Sequence, residues 1–228
     1  IDFATTPTES GKASARCMIA VTPDGERTMN TFLGANADFS VKDIDRKTIA
    51  RAATIYMEGY LFDMDAQKAA FVRAAEYAHA AGRQVALTLS DAFCVGRHRA
   101  GFRQLAETQT DILFANEEEI FALYETDRID TALDALTGHD VTVCVTRGAK
   151  GPIIQTSKRR YLVSAATVPR VVDTTGAGDQ YAAGVLAGRA MGLDWPDAGY
   201  LGSLCAAEVI GHYGPRPERP IHDIALGR

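Results

Sequence analysis

Between Asp43 and Thr146 the chain alternates short apolar runs with helix-forming stretches, and that alternation restricts the folds open to it. Helices are predicted over 43–53, 65–81, 97–108, 117–124 and 130–136, and strands over 54–57, 84–89, 111–114 and 141–146. Gly82 closes the long helix as a C-cap. Val141 to Thr146 is almost continuously apolar, as a strand buried on both faces must be. Further on, Ile153-Ile154 and Tyr161 to Val163 predict a hairpin, and Ala165 to Val172 predicts a strand. Gln180 to Met191 predicts a helix. A last helix starts at the Asp194-Trp195-Pro196 cap and runs to about His212. The expected class is α/β: an open, mostly parallel sheet with helices on both faces. Ligands of such sheets bind beyond the carboxyl ends of the strands.

Ahead of this core, 1–14 is polar and reads as loop. Arg16 to Thr22 and Arg27 to Leu33 form a hairpin around Pro23-Asp24-Gly25, where Pro fixes φ and Gly accepts a positive one. Residues 1–34 are therefore expected to form a small β lid, and 35–228 the core. Arg27 sits just past the turn, either as a solvated arginine or as one reaching into a cleft. Ser10-Gly11-Lys12 is no P-loop, because Thr6 stands where the motif needs Gly and Ala13 replaces its Ser/Thr.

The chemistry concentrates in Asp173-Thr174-Thr175-Gly176-Ala177-Gly178-Asp179. This Gly-rich turn lies between a strand-like run and a helix start. Amides at a helix N-terminus lack intrahelical partners and the helix dipole adds positive charge, which suits an anion. An acid in such a place repels an anion, so Asp179 reads as a base that takes a proton from a hydroxyl. The plainer reading is an N-cap. Two more turns follow apolar strands. In Asn116-Glu117-Glu118-Glu119 the acids suit the helix dipole. They also allow Asn116 to meet a phosphate oxygen and Glu119 to meet magnesium through water. Thr146-Arg147-Gly148-Ala149-Lys150-Gly151 is a hairpin turn or a nucleotide wrap.

Composition narrows the partners. A net charge of −5 provides no basic excess for nucleic acid or anionic lipid. No apolar run is long enough for a membrane span, and no signal peptide is visible. Cys17, Cys94, Cys144 and Cys205 are dispersed beside apolar segments, which predicts buried free thiols in a reducing compartment, the cytoplasm. The chain opens on Ile1 rather than Met, as if it begins part-way through a longer protein.

The order Asn116-x-x-Glu119, Thr146-x-Gly148-x-x-Gly151 and Asp173 to Asp179 resembles the ribokinase (PfkB) family of carbohydrate and nucleoside kinases, over about Arg16 to Pro220. Within it the likeness is closest to adenosine kinases, carried by Asp111 to Glu117, by Cys17 to Leu33, and by Ala206-Ala207-Glu208 followed by Tyr213-Gly214. The resemblance implies a ribokinase-like fold and an ATP- and Mg²⁺-dependent kinase of a nucleoside or sugar, with a homodimer compatible with it. It implies Asp179 as base and Gly176, Ala177 and Gly178 as anion-hole amides. Asn116, Thr146, Gly148, Gly151 and Ser203 would border ATP, with Glu119 serving magnesium. Asp173 and Thr175 match positions around a potassium ion, and Arg27 an arginine near the transferred phosphate. The family's N-terminal aspartate for substrate hydroxyls, its Gly-Gly element and part of its lid have no match in the chain. A non-catalytic nucleotide-binding domain is the rival of another class. A dinucleotide-binding dehydrogenase is rejected, because the glycine turn has the wrong spacing and lies late in the chain.

Overall fold

The computed structural model describes residues 5, 7 and 11–225, so most of the loop expected over 1–14 lies outside the described residues. Among these, six strands form one sheet in the order β3-β4-β5-β6-β7-β8. β3 (Thr54–Glu58), β4 (Gln84–Thr88), β5 (Ile112–Asn116) and β6 (Thr142–Thr146) run parallel. β7 (Ile153–Gln155) and β8 (Arg160–Leu162) follow antiparallel as a meander. A separate hairpin, β1 (Arg16–Val21) and β2 (Arg27–Phe32), pairs Val21 with Arg27 and is exposed along nearly all its length.

The pleat divides the sheet between two cores. On one face Leu113 and Ala115 of β5 pack with Leu87, Val143 and Val145 beneath α2 (Asp65–Ala80), α3 (Ala92–Arg97), α4 (Arg99–Thr108), α5 (Glu117–Tyr124) and α6 (Ile129–Asp134). On the other, Ile112 and Phe114 join Ala86, Cys144 and Ile154 under α7 (Ala177–Ala190) and α8 (Trp195–Val209). The expected open, mostly parallel sheet with helices on both faces is what forms. α7 and α8 meet backbone to backbone: a Cβ on Gly184 would fall 2.7 Å from Gly202 Cα.

Four expectations need correction. The strand predicted over 165–172 does not form. Pro169 cannot donate to a ladder and Val171 stays exposed, so the segment runs as an extended connection fixed by Val172 N–H on Ile210 O at 2.8 Å. The helix expected over 43–53 shrinks to α1 (Arg46–Arg51), capped by Asp45, which accepts from Lys47 N–H at 2.9 Å. The helix expected over 97–108 forms as α4, beginning two residues late at Arg99, and an unanticipated helix, α3, precedes it, capped by Asp91 on Cys94 N–H at 2.9 Å. Cys94, Cys144 and Cys205 are buried thiols as expected, but Cys17 on the exposed hairpin is not. A short helix, α9 (Ile221–Ala225), was not anticipated. Among the described residues no helix is long and apolar enough to cross a membrane.

Candidate active site

Three parallel strands and α7 bring their ends to one edge of the sheet. Asn116 ends β5 opposite Thr146, which ends β6, so adjacency in the sheet joins the first two predicted turns. Asn116 and Glu119 close a capping box: Asn116 Oδ1 accepts from Glu119 N–H at 2.8 Å. The Glu119 carboxylate accepts from Asn116 N–H at 2.9 Å and from its Nδ2 at 2.8 Å. Lys150 Nζ then spans the two turns to Glu117 Oε2 at 3.2 Å. Thr146 Oγ1 points to Ala115 O at 3.5 Å. Gly151, at φ 76°, has no room for a side chain, since a Cβ would lie 2.1 Å from Val163 O. Above Gly148 the space is open.

The third turn is built around Asp173. Its Oδ1 accepts from Thr175 N–H and its Oδ2 from Gly214 N–H, each at 2.9 Å. Desolvation alone would raise this carboxyl. The Thr175 and Gly214 hydrogen bonds, with the charge of Arg27 nearby, outweigh it and hold the group below the ordinary aspartate range. Thr175 Oγ1 is enclosed beside it and makes no hydrogen bond among the described residues. Gly176 follows at φ 80° and caps α7, and Gln180 N–H opens the helical ladder on its carbonyl at 2.9 Å. The amides of Gly178 and Asp179 make no hydrogen bond among the described residues, and the space above Gly178 is open. Asp179 stays in contact with water, yet the walls of the cleft desolvate it and raise its carboxyl, opposed by Arg27. Arg27 itself is steered inward by Thr174: Nη1 donates to Thr174 Oγ1 at 2.8 Å, and that hydroxyl bonds Gly25 O at 3.2 Å. The hairpin is thereby pinned to the signature turn.

Other members of this cleft were not singled out in the sequence. Glu58 ends β3, and Ser90 and Asp91 follow β4; Ser90 takes φ 66° and its hydroxyl bonds Glu58. The Glu58 carboxyl is raised by burial, opposed by Ser90 and assisted by Asp179. The Tyr60 phenol is raised to about 12 by burial and by Asp91 and Glu58, opposed by Arg27, so these side chains share one space. Tyr60 and Phe93 expose their rings there and just after β4, at 46% and 81%. The rule that pointed to Asn116 and Thr146, a polar residue directly after an apolar strand, also marks Glu58 and Ser90-Asp91. The structure does not bring the Ser203 hydroxyl to this edge. It is buried in α8 and donates to Gly199 O at 3.2 Å, so a nucleotide would meet that residue through packing alone.

Burial, with Asp91, Glu58 and Glu118 nearby, pushes Glu119 up to about 7 despite the Asn116 hydrogen bond. A carboxyl whose folded pKa exceeds its unfolded value favours folding in its protonated form, so ionisation costs stability as pH rises from about 4.5 to 7. Glu119→Gln is therefore expected to melt a few degrees higher than wild type at pH 8, with the difference closing below about pH 4.5. Thermal melts across that range check it.

The open space above Gly178 and Gly148, and the free amides at the start of α7, fit the phosphates of a nucleotide. Among the described residues no three His, Cys, Asp or Glu side chains gather as direct metal ligands. Both Glu119 oxygens are engaged, so magnesium fits here only through water and phosphate oxygens. The orphan Thr175 Oγ1 beside Asp173 leaves one oxygen for a cation.

The model of the pfkB family of carbohydrate kinases matches residues 1–221. The solved adenosine kinase of Sinorhizobium meliloti is 43% identical, with TM-score 0.94 over 99% of this chain and 69% of its own. The probable sugar kinase of Rhizobium etli CFN 42 is 41% identical, with TM-score 0.94 over 98% of this chain and 68% of its own. An uncharacterized sugar kinase of Archaeoglobus fulgidus is 36% identical over 49% of this chain and 44% of its own length, so the chain spans less than half of that relative. The shared fold, the Asp173 to Asp179 turn and the match along nearly the whole chain have one reading: the chain belongs to the pfkB family of carbohydrate kinases.

Proposed function

We propose that the chain carries the nucleotide and acceptor sites of an ATP-dependent kinase that phosphorylates a primary hydroxyl of adenosine. The observation that carries this reading is Asp179, a solvent-reached but partly desolvated carboxylate on the first turn of α7, beside free amides and in the field of Arg27. Asp179 takes the hydroxyl proton as the bond to phosphorus forms. The amides of Gly176 and Gly178, that of Ala177 once it leaves its 3.3 Å contact with Thr174 O, and the guanidinium of Arg27 stabilise the charge that develops on the phosphoryl oxygens. Asn116, Thr146, Gly148 and Gly151 border the nucleotide. Glu119 orients magnesium-bound water, Asp173 and Thr175 serve a potassium ion, and Ser203 packs near the base. Magnesium, when bound, neutralises charge on the nucleotide phosphates. Residues 1–34 act as the lid and 35–228 as the core, and the buried thiols suit the cytoplasm.

Adenosine is favoured over a free sugar by the exposed rings of Tyr60 and Phe93 at the same edge, since a planar base can stack on an aromatic face over its whole area and a sugar offers only a C–H face. The adenosine kinase of S. meliloti agrees with this, while the sugar kinase of R. etli keeps a sugar as the second reading. ADP release with ATP, Mg²⁺ and adenosine, ribose or fructose separates them, with thermal shift on the same panel. Adenosine is expected to give both signals. Release with a sugar alone transfers the assignment to sugar kinase. A shift with ATP and no release with any acceptor replaces it with a non-catalytic nucleotide-binding domain.

A further inference from the structure

Residues 210–219 leave α8 without regular structure, yet they hold two residues of the signature turn. Gly214 N–H is one of the two donors to Asp173, and Pro215 lies so close to Gly176 that a Cβ there would fall 2.8 Å from Pro215 Cβ. What fixes the segment is Glu208, in the last turn of α8. Its Oε1 accepts from Glu218 N–H at 2.8 Å and from Arg219 N–H at 3.0 Å, drawing the far end of the segment back onto the helix.

His212 stands beside this carboxylate. Its Nδ1 lies 3.3 Å from the Tyr213 carbonyl, an acceptor, so Nδ1 carries the proton of the neutral ring. Nε2 then turns a lone pair toward Glu208 Oε1, 3.6 Å away. Among the described residues Nε2 and Glu208 Oε2 are both enclosed and without hydrogen-bond partners, and enclosed polar atoms of that kind are costly. A proton on Nε2 converts the facing lone pair into a donor and makes the pair an imidazolium and a carboxylate. The groups facing the ring are Glu208 from α8, Glu218 from the segment and the Tyr213 carbonyl. Desolvation works against the charged ring, but these three outweigh it and raise the imidazole above its ordinary value.

We propose that Glu208 and protonated His212 form a clasp that positions the 210–219 segment, and through Gly214 and Pro215 the Asp173–Gly176 turn, for phosphoryl transfer; this rests on the kinase reading above. Glu208 and His212 make their contacts within the 208–219 region and act through Gly214 and Pro215, so they are positioning residues. The sign follows from a raised imidazole: the clasp is complete below the ordinary histidine pKa and is lost as pH rises through the raised one.

The experiment uses the full-length protein with Glu208→Ala, Glu208→Gln and His212→Gln. Glu208→Ala is expected to lower kcat about tenfold while KM for ATP changes little, since a turn out of place weakens the transition state more than ground-state binding. Glu208→Gln keeps an acceptor oxygen for the two amides but not the charge that holds the His212 proton, so it is expected to recover most of kcat at low pH and to lose it at a lower pH than wild type. In wild type kcat is expected to decline on the alkaline side of the His212 titration. His212→Gln, which carries a neutral donor at every pH, is expected to remove that decline. Hydrogen exchange at the Gly214 amide reads the segment without any turnover and is expected to quicken at least about tenfold in Glu208→Ala. Unchanged Gly214 exchange in Glu208→Ala, or an alkaline limb that persists in His212→Gln, overturns the clasp. If wild type turns over no acceptor, the kinase reading fails and Gly214 exchange alone decides the clasp. If Glu208→Ala does not fold, exchange in Glu208→Gln and His212→Gln across the same pH range decides it, and a pH-independent rate in wild type overturns it.

Discussion

Replacing Asp179 by Asn is expected to cut turnover by at least about 10²–10³-fold while ATP still binds. Asn is close to isosteric, so the first turn of α7 keeps its shape and its amides stay aimed into the cleft. What disappears is the one group in the turn that can accept a proton. The carboxyl is raised by desolvation, chiefly, and lowered by Arg27. Turnover in wild type should therefore fall as pH drops through this raised value, because only the ionised form is a base. Removing the Arg27 charge should shift that acid limb to higher pH. The same imbalance gives a stability sign. A carboxyl raised in the folded state contributes stability only in its protonated form, so Asp179→Asn should melt no lower than wild type at neutral pH. Single-turnover kinetics, nucleotide titration and thermal melts check the three parts, and retained turnover in Asp179→Asn sinks the assignment.

Gly176→Ala is expected to damage the turn itself. The residue sits at φ 80°, where a side chain costs on the order of 1–2 kcal/mol. Its Cβ would also fall 2.8 Å from Pro215 Cβ and 3.0 Å from Pro215 Cα, and the latter is backbone that cannot step aside alone. Melting should drop by several degrees, and turnover should fall about 10²-fold as the anion-hole amides lose alignment. Gly178→Ala is the contrasting change. Its φ is helical and no atom lies within 4 Å of the added methyl, so stability should hold or rise. If the open space there admits phosphate, Gly178→Ala should still weaken ATP, seen as a higher KM at unchanged melting temperature. Equal melting of wild type and Gly176→Ala would remove the argument from strain.

Much of this arrangement was legible in the chain. The strands of the core announce themselves because β4, β5 and β6 are buried on both faces and so nearly continuously apolar. The helix over 117–124 has the expected ends because Asn116 and Glu119 form a reciprocal cap, a purely local device. Where tertiary context decides, the reading failed. Ala165 to Val172 has strand composition but finds only Ile210 to bond, since α8 rather than a strand lies alongside it. The additional helix α3 was hidden because Asp91, its cap, followed a strand that reads as running on into Leu89. In the cleft, residues of one contiguous turn were visible. Glu58, Asp91 and Tyr60 were not, because their proximity to Glu119 and Asp179 depends on β3 lying beside β4 and on α7 lying over the opposite face, neither of which has a local signal.

The contact between Gly184 and Gly202 bears on how such a protein diversifies. Neither glycine brings a side chain to that point, and Cys205 Sγ, Val185 Cγ2 and Tyr181 Cδ2 already stand within 2.9 Å of where an added methyl would go, so there is no room to enlarge the contact. The helix that carries Asp179 is fixed to its neighbour at backbone distance, and any added atom would shift that helix and, on the reading proposed above, move the base relative to its amides. The residues after β3 and β4 have no such lock, with Tyr60 and Phe93 both exposed. Residues after β3 and β4 can therefore change one at a time while the α7–α8 contact holds, which suits a fold shared by proteins named for adenosine and for sugars.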